Sequence, residues 1–194
     1  MISFLKLLSL ASVSACLLLA TTANVLTKER EPLNYEFVEG AGGVPLAVVE
    51  GGESGGQPIL FVHGFSFSSH AWTHQLSDES LRNYRLVGFD LRGHGASGKP
   101  WTDESYAGWS PWAEDIKRII DAKGLTSPVL VGWSMGGLMI MNFVREYGFE
   151  DVGGIVLVGT TAGLNYTNSA PTASTEFDDA ALRKQMSLDI RENV

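Results

Sequence analysis

The chain has 194 residues and a mass of 20.9 kDa, the size of one ordinary domain. Hydrophobic residues make up 44% and charged residues 19%, which excludes a disordered or low-complexity chain. The 22 acidic residues outnumber the 14 basic ones and give a net charge of −8, so we expect no nucleic-acid partner, because nucleic-acid binding needs a basic surface. A single cysteine excludes a disulfide framework and a cysteine-rich zinc site.

Residues 1–23 have the pattern of a signal peptide. A short start with one positive charge, Lys6, precedes an apolar stretch, 7–20, and the small residues 21–23. The apolar stretch is shorter than the roughly 20 residues of a membrane-spanning helix. We therefore expect an exported protein, secreted or periplasmic, with no stable membrane span in its mature form. Two alternatives stay open: a lipid anchor on Cys16, which a lipobox-like sequence precedes, and a retained N-terminal anchor or buried helix.

Beyond the N-terminus the pattern predicts strands that alternate with helices. Short apolar runs indicate strands buried in a sheet, and apolar residues at helical spacing indicate the helices between them. Strands are predicted at 35–39, 45–50, 58–62, 84–89, 128–132 and 154–158, helices at 71–81, 109–122, 135–147 and 177–193, and a long loop at 161–174. Ser110 is expected to cap its helix, with Pro111 in the first turn. The predicted class is α/β, a doubly wound and mostly parallel sheet with flanking helices.

Residues 132–137, GWSMGG, contain the pattern G-x-S-x-G where a buried strand passes directly into a helix. The glycines allow close packing around a strained turn that exposes the hydroxyl of Ser134 at the helix N-terminus, where unpaired N–H groups favour an anion. We interpret Ser134 as a catalytic nucleophile. The alternative is a glycine-rich turn whose serine only caps the helix. Trp133, next to the serine, is a candidate wall of a substrate pocket.

Residues 63–65, HGF, follow the strand 58–62. A tetrahedral intermediate needs two donors aimed at its oxygen, and backbone N–H groups are sufficient. We expect the N–H groups of Phe65 and Met135 to be these donors. His63 is a second candidate for catalysis, as a general base, but its place at a strand end favours a structural role in which it holds the loop by side-chain hydrogen bonds.

Residues 90–97, DLRGHGAS, follow the strand 84–89. Asp90 and Arg92 are expected to hold this loop through hydrogen bonds. A catalytic role for Asp90 or His94 stays open, although the architecture of the loop explains both residues at least as well.

With these three motifs in this order and spacing, residues 33–165 resemble the α/β-hydrolase fold family, and most of all its carboxylesterase, BioH-like and non-haem haloperoxidase branch. The resemblance implies that Ser134 is the nucleophile, that Phe65 and Met135 form the oxyanion hole, that a small-molecule acyl compound is the substrate, and that no metal or organic cofactor takes part. Epoxide hydrolases and haloalkane dehalogenases of this fold have aspartate at the bend, so the serine argues against them.

The chain departs from the family in the rest of its catalytic triad, which there follows the order serine, acid, histidine. All histidines of the chain precede Ser134, and no aspartate after it lies in a strand-end loop of the expected kind. The histidines are His63, His70, His74 and His94, and the aspartates are Asp151, Asp178, Asp179 and Asp189. The resemblance therefore implies an incomplete hydrolase core at 24–172 and the start of a cap or lid at 173–194, with the acid and base beyond this chain.

The sequence thus favours an exported serine hydrolase that cleaves carboxylic esters or related acyl bonds through an acyl-enzyme. One alternative is a non-catalytic member that uses the fold for binding, and another is a C–C hydrolase or perhydrolase of the same fold. Without a base we expect little esterase turnover from the chain as it stands. The apolar strand 154–158 is expected to form an uncovered sheet edge through which the chain self-associates.

Overall fold

The structure, a computed structural model, describes residues 35–160, and within them six strands form one sheet. The strands are β1 (Glu36–Glu39), β2 (Pro45–Gly52), β3 (Pro58–Val62), β4 (Arg85–Phe89), β5 (Val129–Trp133) and β6 (Gly154–Val158). Their order is β1-β2-β4-β3-β5-β6; β2 is antiparallel to both of its neighbours, whereas β4, β3, β5 and β6 are parallel. The predicted signal peptide, the loop 161–174 and the helix 177–193 lie outside the described residues.

Three helices follow strands of this sheet: α1 (Thr73–Leu76), α2 (Ser110–Ala122) and α3 (Met135–Tyr147). The apolar side chains of α2 and α3 enter the main core, where Leu60 of β3 and Ile116 and Ile140 of the two helices are fully buried. The next residue of β3, Phe61, points to the opposite face and lies 5.0 Å, ring to ring, from Trp72 beside α1. Helices therefore cover both faces, which confirms the predicted doubly wound, mostly parallel α/β architecture.

The single helix predicted at 71–81 is wrong, because the segment divides into three short pieces. A 3-10 turn at Ser69–Trp72 leads into α1, and a second 3-10 turn follows at Glu79–Leu81. The hydroxyl of Ser77 donates to the carbonyl of Thr73 at 2.7 Å, and the carboxylate of Asp78 accepts from the amide of Ser80 at 2.8 Å. The Ser77 hydroxyl thus adds a side-chain bond to a carbonyl at the end of α1, and the Asp78 carboxylate caps the turn that follows, which favours a break in the helix here.

Ser110 does not cap α2 as predicted. Trp109 occupies the cap position, no side-chain cap bond forms, and Ser110 is the first helical residue, with Pro111 beside it in the first turn. The hydroxyl of Ser110 instead donates to the carboxylate of Glu146 at 2.7 Å. The serine therefore links the start of α2 to the last turn of α3.

Among residues 35–160, no helix combines the length and the apolar character that crossing a bilayer requires.

Candidate functional site

Ser134 stands at the bend between β5 and α3 in a conformation that is rare for a residue with a side chain. Its φ is 52° and its ψ is −119°. Its amide donates to the carbonyl of Val158 at 2.9 Å, and its carbonyl accepts from the amide of Gly137 at 3.1 Å. The half-buried side chain makes no cap bond, and its hydroxyl has no hydrogen-bond partner within residues 35–160. Ser134 therefore occupies the N-cap position of α3 without the side-chain bond that the capping alternative requires.

Three glycines make the bend possible, because strand and helix backbones approach one another too closely for side chains. A Cβ on Gly132 would lie 2.7 Å from Cα of Gly137, and one on Gly136 would lie 2.2 Å from the carbonyl oxygen of Val62. A Cβ on Gly137 would lie 2.4 Å from Cγ2 of Thr160. The close packing expected from the sequence thus joins α3 to β3, to β5 and to the segment that follows β6.

The loop after β3 passes directly beside the serine. A Cβ on Gly64 would lie 3.1 Å from Cβ of Ser134, so Phe65 follows at an adjoining position. Within the described part of the chain, the N–H groups of Phe65 and Met135 have no hydrogen-bond acceptor. The N–H of Met135 belongs to the first turn of α3, where amides carry the partial positive charge of a helix N-terminus.

Trp133 and Phe67 form an aromatic surface next to this loop. Their rings meet edge to face, with centroids 4.7 Å apart, and Phe67 is 50% exposed. Trp133 also lies against Gly64, since a Cβ there would be 3.2 Å from its Cε3 atom. The residue proposed for a pocket wall thus borders the loop that passes Ser134.

His63 is fully buried and has the structural role expected of it. Its Nδ1 donates to the carbonyl of Gly64 at 2.7 Å, and its Nε2 accepts from the amide of Leu91 at 3.0 Å. Burial, together with the neighbouring His94, lowers its pKa to about 4. A neutral imidazole with both nitrogens engaged joins the loop after β3 to the loop after β4.

Asp90 holds the loop after β4 in place. One carboxylate oxygen accepts from the amide of Ser69 and the other from the amide of Ala96, both at 2.7 Å. The side chain is fully buried, so these charge-assisted bonds are shielded from water. They account for Asp90 without a catalytic role, as the interpretation of the loop expected.

Arg92 holds the same loop from within the core. Its guanidinium donates two bonds of 2.7 Å to the carboxylate of Asp115 on α2. Two further bonds go to the carbonyl of Ser105, at 2.7 Å, and to that of Ala41, at 3.0 Å. Only 1% of Arg92 is exposed, and this buried ion pair ties the loop after β4 to α2 and to the turn after β1.

His94 lies in the loop after β4 and packs against the loop after β3, a contact that the sequence interpretation did not anticipate. It is 5% exposed, and its Nδ1 donates to the carbonyl of Arg92 at 2.9 Å. Its ring centroid is 5.2 Å from that of His63 and 5.9 Å from that of Phe65. Burial lowers its pKa. Parallel pairing of β3 with β4 brings the two loops together. The expected adjacency of these strands was the feature of the sequence from which the contact of His94 with the loop after β3 could have been predicted.

No histidine forms a hydrogen bond to Ser134 within the described residues, which contain all four histidines of the chain. His70 and His74 are exposed, and His63 and His94 are buried in the two loops. The same residues contain no group of three His, Cys, Asp or Glu side chains arranged to hold a metal ion.

Comparisons with known proteins agree with this architecture. The sequence model of the alpha/beta hydrolase fold family matches residues 57–192. The AB hydrolase superfamily protein YisY of Bacillus subtilis is 32% identical over 107 residues, which cover 55% of this chain and 39% of YisY. Epoxide hydrolase 4 of Mus musculus is 39% identical over 97 residues, which cover 50% of this chain and 26% of that protein.

A solved structure extends the likeness. The esterase RhEst1 from Rhodococcus sp. ECU1013 is 33% identical and superposes with a TM-score of 0.62 over 68% of this chain and 47% of RhEst1. The chain therefore spans less than half the length of each of these three relatives. With the matched span, the sheet order and the strand–turn–helix bend at Ser134 considered together, the chain belongs to the α/β-hydrolase fold family.

Proposed function

We propose that this chain carries the nucleophile and the oxyanion hole of a serine hydrolase that cleaves carboxylic esters or related acyl bonds. The observation that carries the proposal is the hydroxyl of Ser134, which has no partner within residues 35–160 and stands on a strained bend at the N-terminus of α3. Strained backbone of this kind persists where the surrounding structure over-determines it, and it is concentrated at active sites. The close-packed glycines around the bend provide that constraint.

In the proposed reaction, Oγ of Ser134 attacks the acyl carbonyl carbon and gives its proton to a general base. The N–H groups of Phe65 and Met135 donate to the oxyanion of the tetrahedral intermediate, and the partial charge at the start of α3 adds to this stabilisation. The intermediate collapses to an acyl-enzyme as the alcohol leaves with a proton. Water then attacks the acyl-enzyme, which releases the acid and restores the serine.

The general base is not His63, because both of its nitrogens are engaged and its pKa is lowered to about 4. No histidine follows Ser134 in the chain. We propose that the acid and histidine of the triad belong to the longer protein, in the part of the relatives' length that this chain does not span. On this basis the 194-residue chain hydrolyses p-nitrophenyl acetate about 10⁴–10⁶-fold more slowly than a protein with a complete triad.

The identity of the nucleophile separates two of the activities named among the relatives, ester hydrolysis and epoxide hydrolysis. A serine that opened an epoxide would become an ether, which water does not cleave, so the enzyme would stop after one turnover. A serine that attacks an ester forms an acyl-enzyme, which water does cleave. Ser134 therefore supports the chemistry of an esterase such as RhEst1 rather than that of an epoxide hydrolase.

A second candidate function is non-catalytic binding on the same fold, and it is favoured by one observation, that all four histidines precede Ser134. A fluorophosphonate probe, which reacts with activated serines, separates the two functions. We expect the full-length protein to be labelled on Ser134, and the Ser134→Ala variant to remain unlabelled. Ser127→Ala is the matched control, because Ser127 is an exposed serine that also has a positive φ, of 45°.

The Ser127→Ala variant should be labelled like the parent protein. Labelling that persists in Ser134→Ala would contradict the assignment of the nucleophile. A folded full-length protein that is not labelled at all would support the binding function instead.

We further propose that the protein is exported, on the pattern of residues 1–23. Mass spectrometry of the protein from its native cells should find a mature N-terminus after this segment in the periplasmic or secreted fraction. A lipidated Cys16 at the mature N-terminus would support the lipid anchor, and an intact N-terminus in the membrane fraction would support a retained segment.

A further inference from the structure

His94 is buried against the loop that carries one of the proposed oxyanion donors. Within residues 35–160, its imidazole makes a single hydrogen bond, in which Nδ1 donates to the carbonyl of Arg92 at 2.9 Å. The other ring nitrogen, Nε2, is buried and has no hydrogen-bond partner in the same part of the chain. The ring meets that of Phe65 at 78° and that of His63 at 62°, both edge to face. The imidazole is thus held by a hydrogen bond at one nitrogen and packs edge to face against two rings.

The support behind this imidazole is rigid. Arg92, whose carbonyl fixes Nδ1, is itself held by four hydrogen bonds to Asp115, Ser105 and Ala41. The loop in front of it is held at the carbonyl of Gly64, which accepts from Nδ1 of His63 and from the amide of Phe67, but the amide of Phe65 has no acceptor within the described residues. The amide of Phe65 can therefore keep a constant orientation only if the half-buried side chain of Phe65 packs against a group that does not move.

We propose that His94 is a positioning residue, whose ring holds Phe65 so that the amide of Phe65 points toward the oxyanion position beside Ser134. The inference rests on the proposed function, because it gives the Phe65 amide a catalytic purpose. It assigns the effect to the aromatic ring and not to the hydrogen bond that Nδ1 makes. Displacement of a reacting group or donor by about 1 Å costs about 100-fold in rate, so a small shift of this loop is enough to matter.

Two substitutions separate the ring from the hydrogen bond. His94→Phe keeps an aromatic ring but cannot donate to the carbonyl of Arg92, whereas His94→Asn keeps a donor for that carbonyl but has no ring. His74→Asn, at an exposed histidine of α1, is the matched control. The first readout is the second-order rate constant for fluorophosphonate labelling of Ser134 in the full-length protein, together with the KM and kcat of ester hydrolysis.

The second readout is the rate of hydrogen exchange at the Phe65 amide, measured by NMR. We expect His94→Asn to lower the labelling rate and kcat by about tenfold or more with little change in KM, and to speed exchange at Phe65. We expect His94→Phe to stay within about threefold of the parent protein in labelling, and His74→Asn to be unchanged.

The opposite result, in which His94→Asn is labelled like the parent protein and His94→Phe is labelled more slowly, would overturn the proposal. It would show that His94 acts through its hydrogen bond to the carbonyl of Arg92, within its own loop. Equal effects in the two variants, or no effect in either, would overturn it as well. If His94→Asn does not fold, His94→Phe decides, since loss of labelling in a folded His94→Phe contradicts a role for the ring. A parent protein that is not labelled would sink the proposed function, and exchange at Phe65 would still decide whether the ring positions this amide.

Discussion

Ser134 combines a side chain available for chemistry with a backbone fixed from both sides. The pattern of glycines in residues 132–137 was sufficient to predict the bend, because the backbone there leaves no room for a Cβ, which at Gly136 would lie 2.2 Å from a carbonyl oxygen. The position of His94 was harder to predict, because it depends on the packing of two loops that are distant in sequence. No base for Ser134 can be identified from the sequence, since no histidine follows it in the chain, and no acid can be identified because none of the later aspartates lies in a strand-end loop of the expected kind.

Burial of His63 makes stability depend on pH. Its pKa in the folded protein is about 4, below the ordinary value of 6.5. Burial is the main cause, and the charge of His94 adds to it, because both disfavour protonation; Asp90 and the Gly64 carbonyl have the opposite effect. The unfolded chain therefore binds a proton first as the pH falls. The contribution of neutral His63 to the free energy of unfolding is about 3 kcal/mol. It is fully present above pH 6.5 and is lost as the pH falls from there to about pH 4.

Urea unfolding at about pH 7.5 and about pH 5 measures this loss. The free energy of unfolding should fall at the lower pH, and the fall should be smaller in His63→Asn than in the parent chain. His74→Asn, at an exposed histidine, should show the parent's dependence. An equally steep dependence in His63→Asn would show that His63 is not its source.

At the scale of elements, the sequence located the strands and long helices well and the short turns poorly. The strands 58–62 and 154–158 and the helix 135–147 have the predicted bounds, because long apolar runs and sharp glycine boundaries determine them. The segment 71–81 was predicted poorly, because its course depends on local side-chain bonds from residues such as Asp78 and Ser77.

The junction between α3 and β3 should not tolerate a methyl group. In Gly136→Ala the new Cβ would meet the carbonyl oxygens of Val62 and His63 at 2.2 and 2.7 Å, and backbone atoms cannot turn aside as a side chain can. We expect a loss of about 1–3 kcal/mol or more, which exceeds the gain of about 0.5–1 kcal/mol from replacing a helical glycine with alanine.

Thermal and urea unfolding measure this loss, and Gly55→Ala is the matched control. A Cβ on Gly55 meets nothing within 4 Å, so that variant should stay within about 0.5 kcal/mol of the parent. A Gly136→Ala variant as stable as Gly55→Ala would mean that α3 shifts away from β3 at little cost.

At the scale of the whole molecule, the sheet ends in an apolar edge. Val156, Leu157 and Val158 of β6 are 47%, 39% and 44% exposed, and within residues 35–160 no strand pairs with the outer side of β6. The segment Gly154–Val158 has no charged side chain, so two copies can meet there without like charges opposed. We propose that this chain self-associates by antiparallel pairing of β6 with β6, since a two-fold axis makes such an edge complementary to itself.

Sedimentation equilibrium tests this pairing. The 194-residue chain should form dimers or larger species, and Val156→Lys should shift it to monomers, because an exposed lysine on an edge strand opposes pairing. Phe37→Lys places the same charge on β1, the strand at the other edge, and should leave the association unchanged. A monomeric parent chain, or association that persists in Val156→Lys, would contradict the proposal.

The amide of Ser134 donates to the carbonyl of Val158, the last residue of β6, and Gly137 packs on Thr160 just beyond it. The outermost strand of the described sheet is thus joined by one hydrogen bond to the residue proposed as the nucleophile. We expect a strand that pairs along β6, whether from the same polypeptide or from another, to restrict the motion of the backbone that sets the direction of the Ser134 hydroxyl. If Ser134 is the nucleophile, the pairing of β6 and the alignment of the nucleophile therefore depend on the same hydrogen bond.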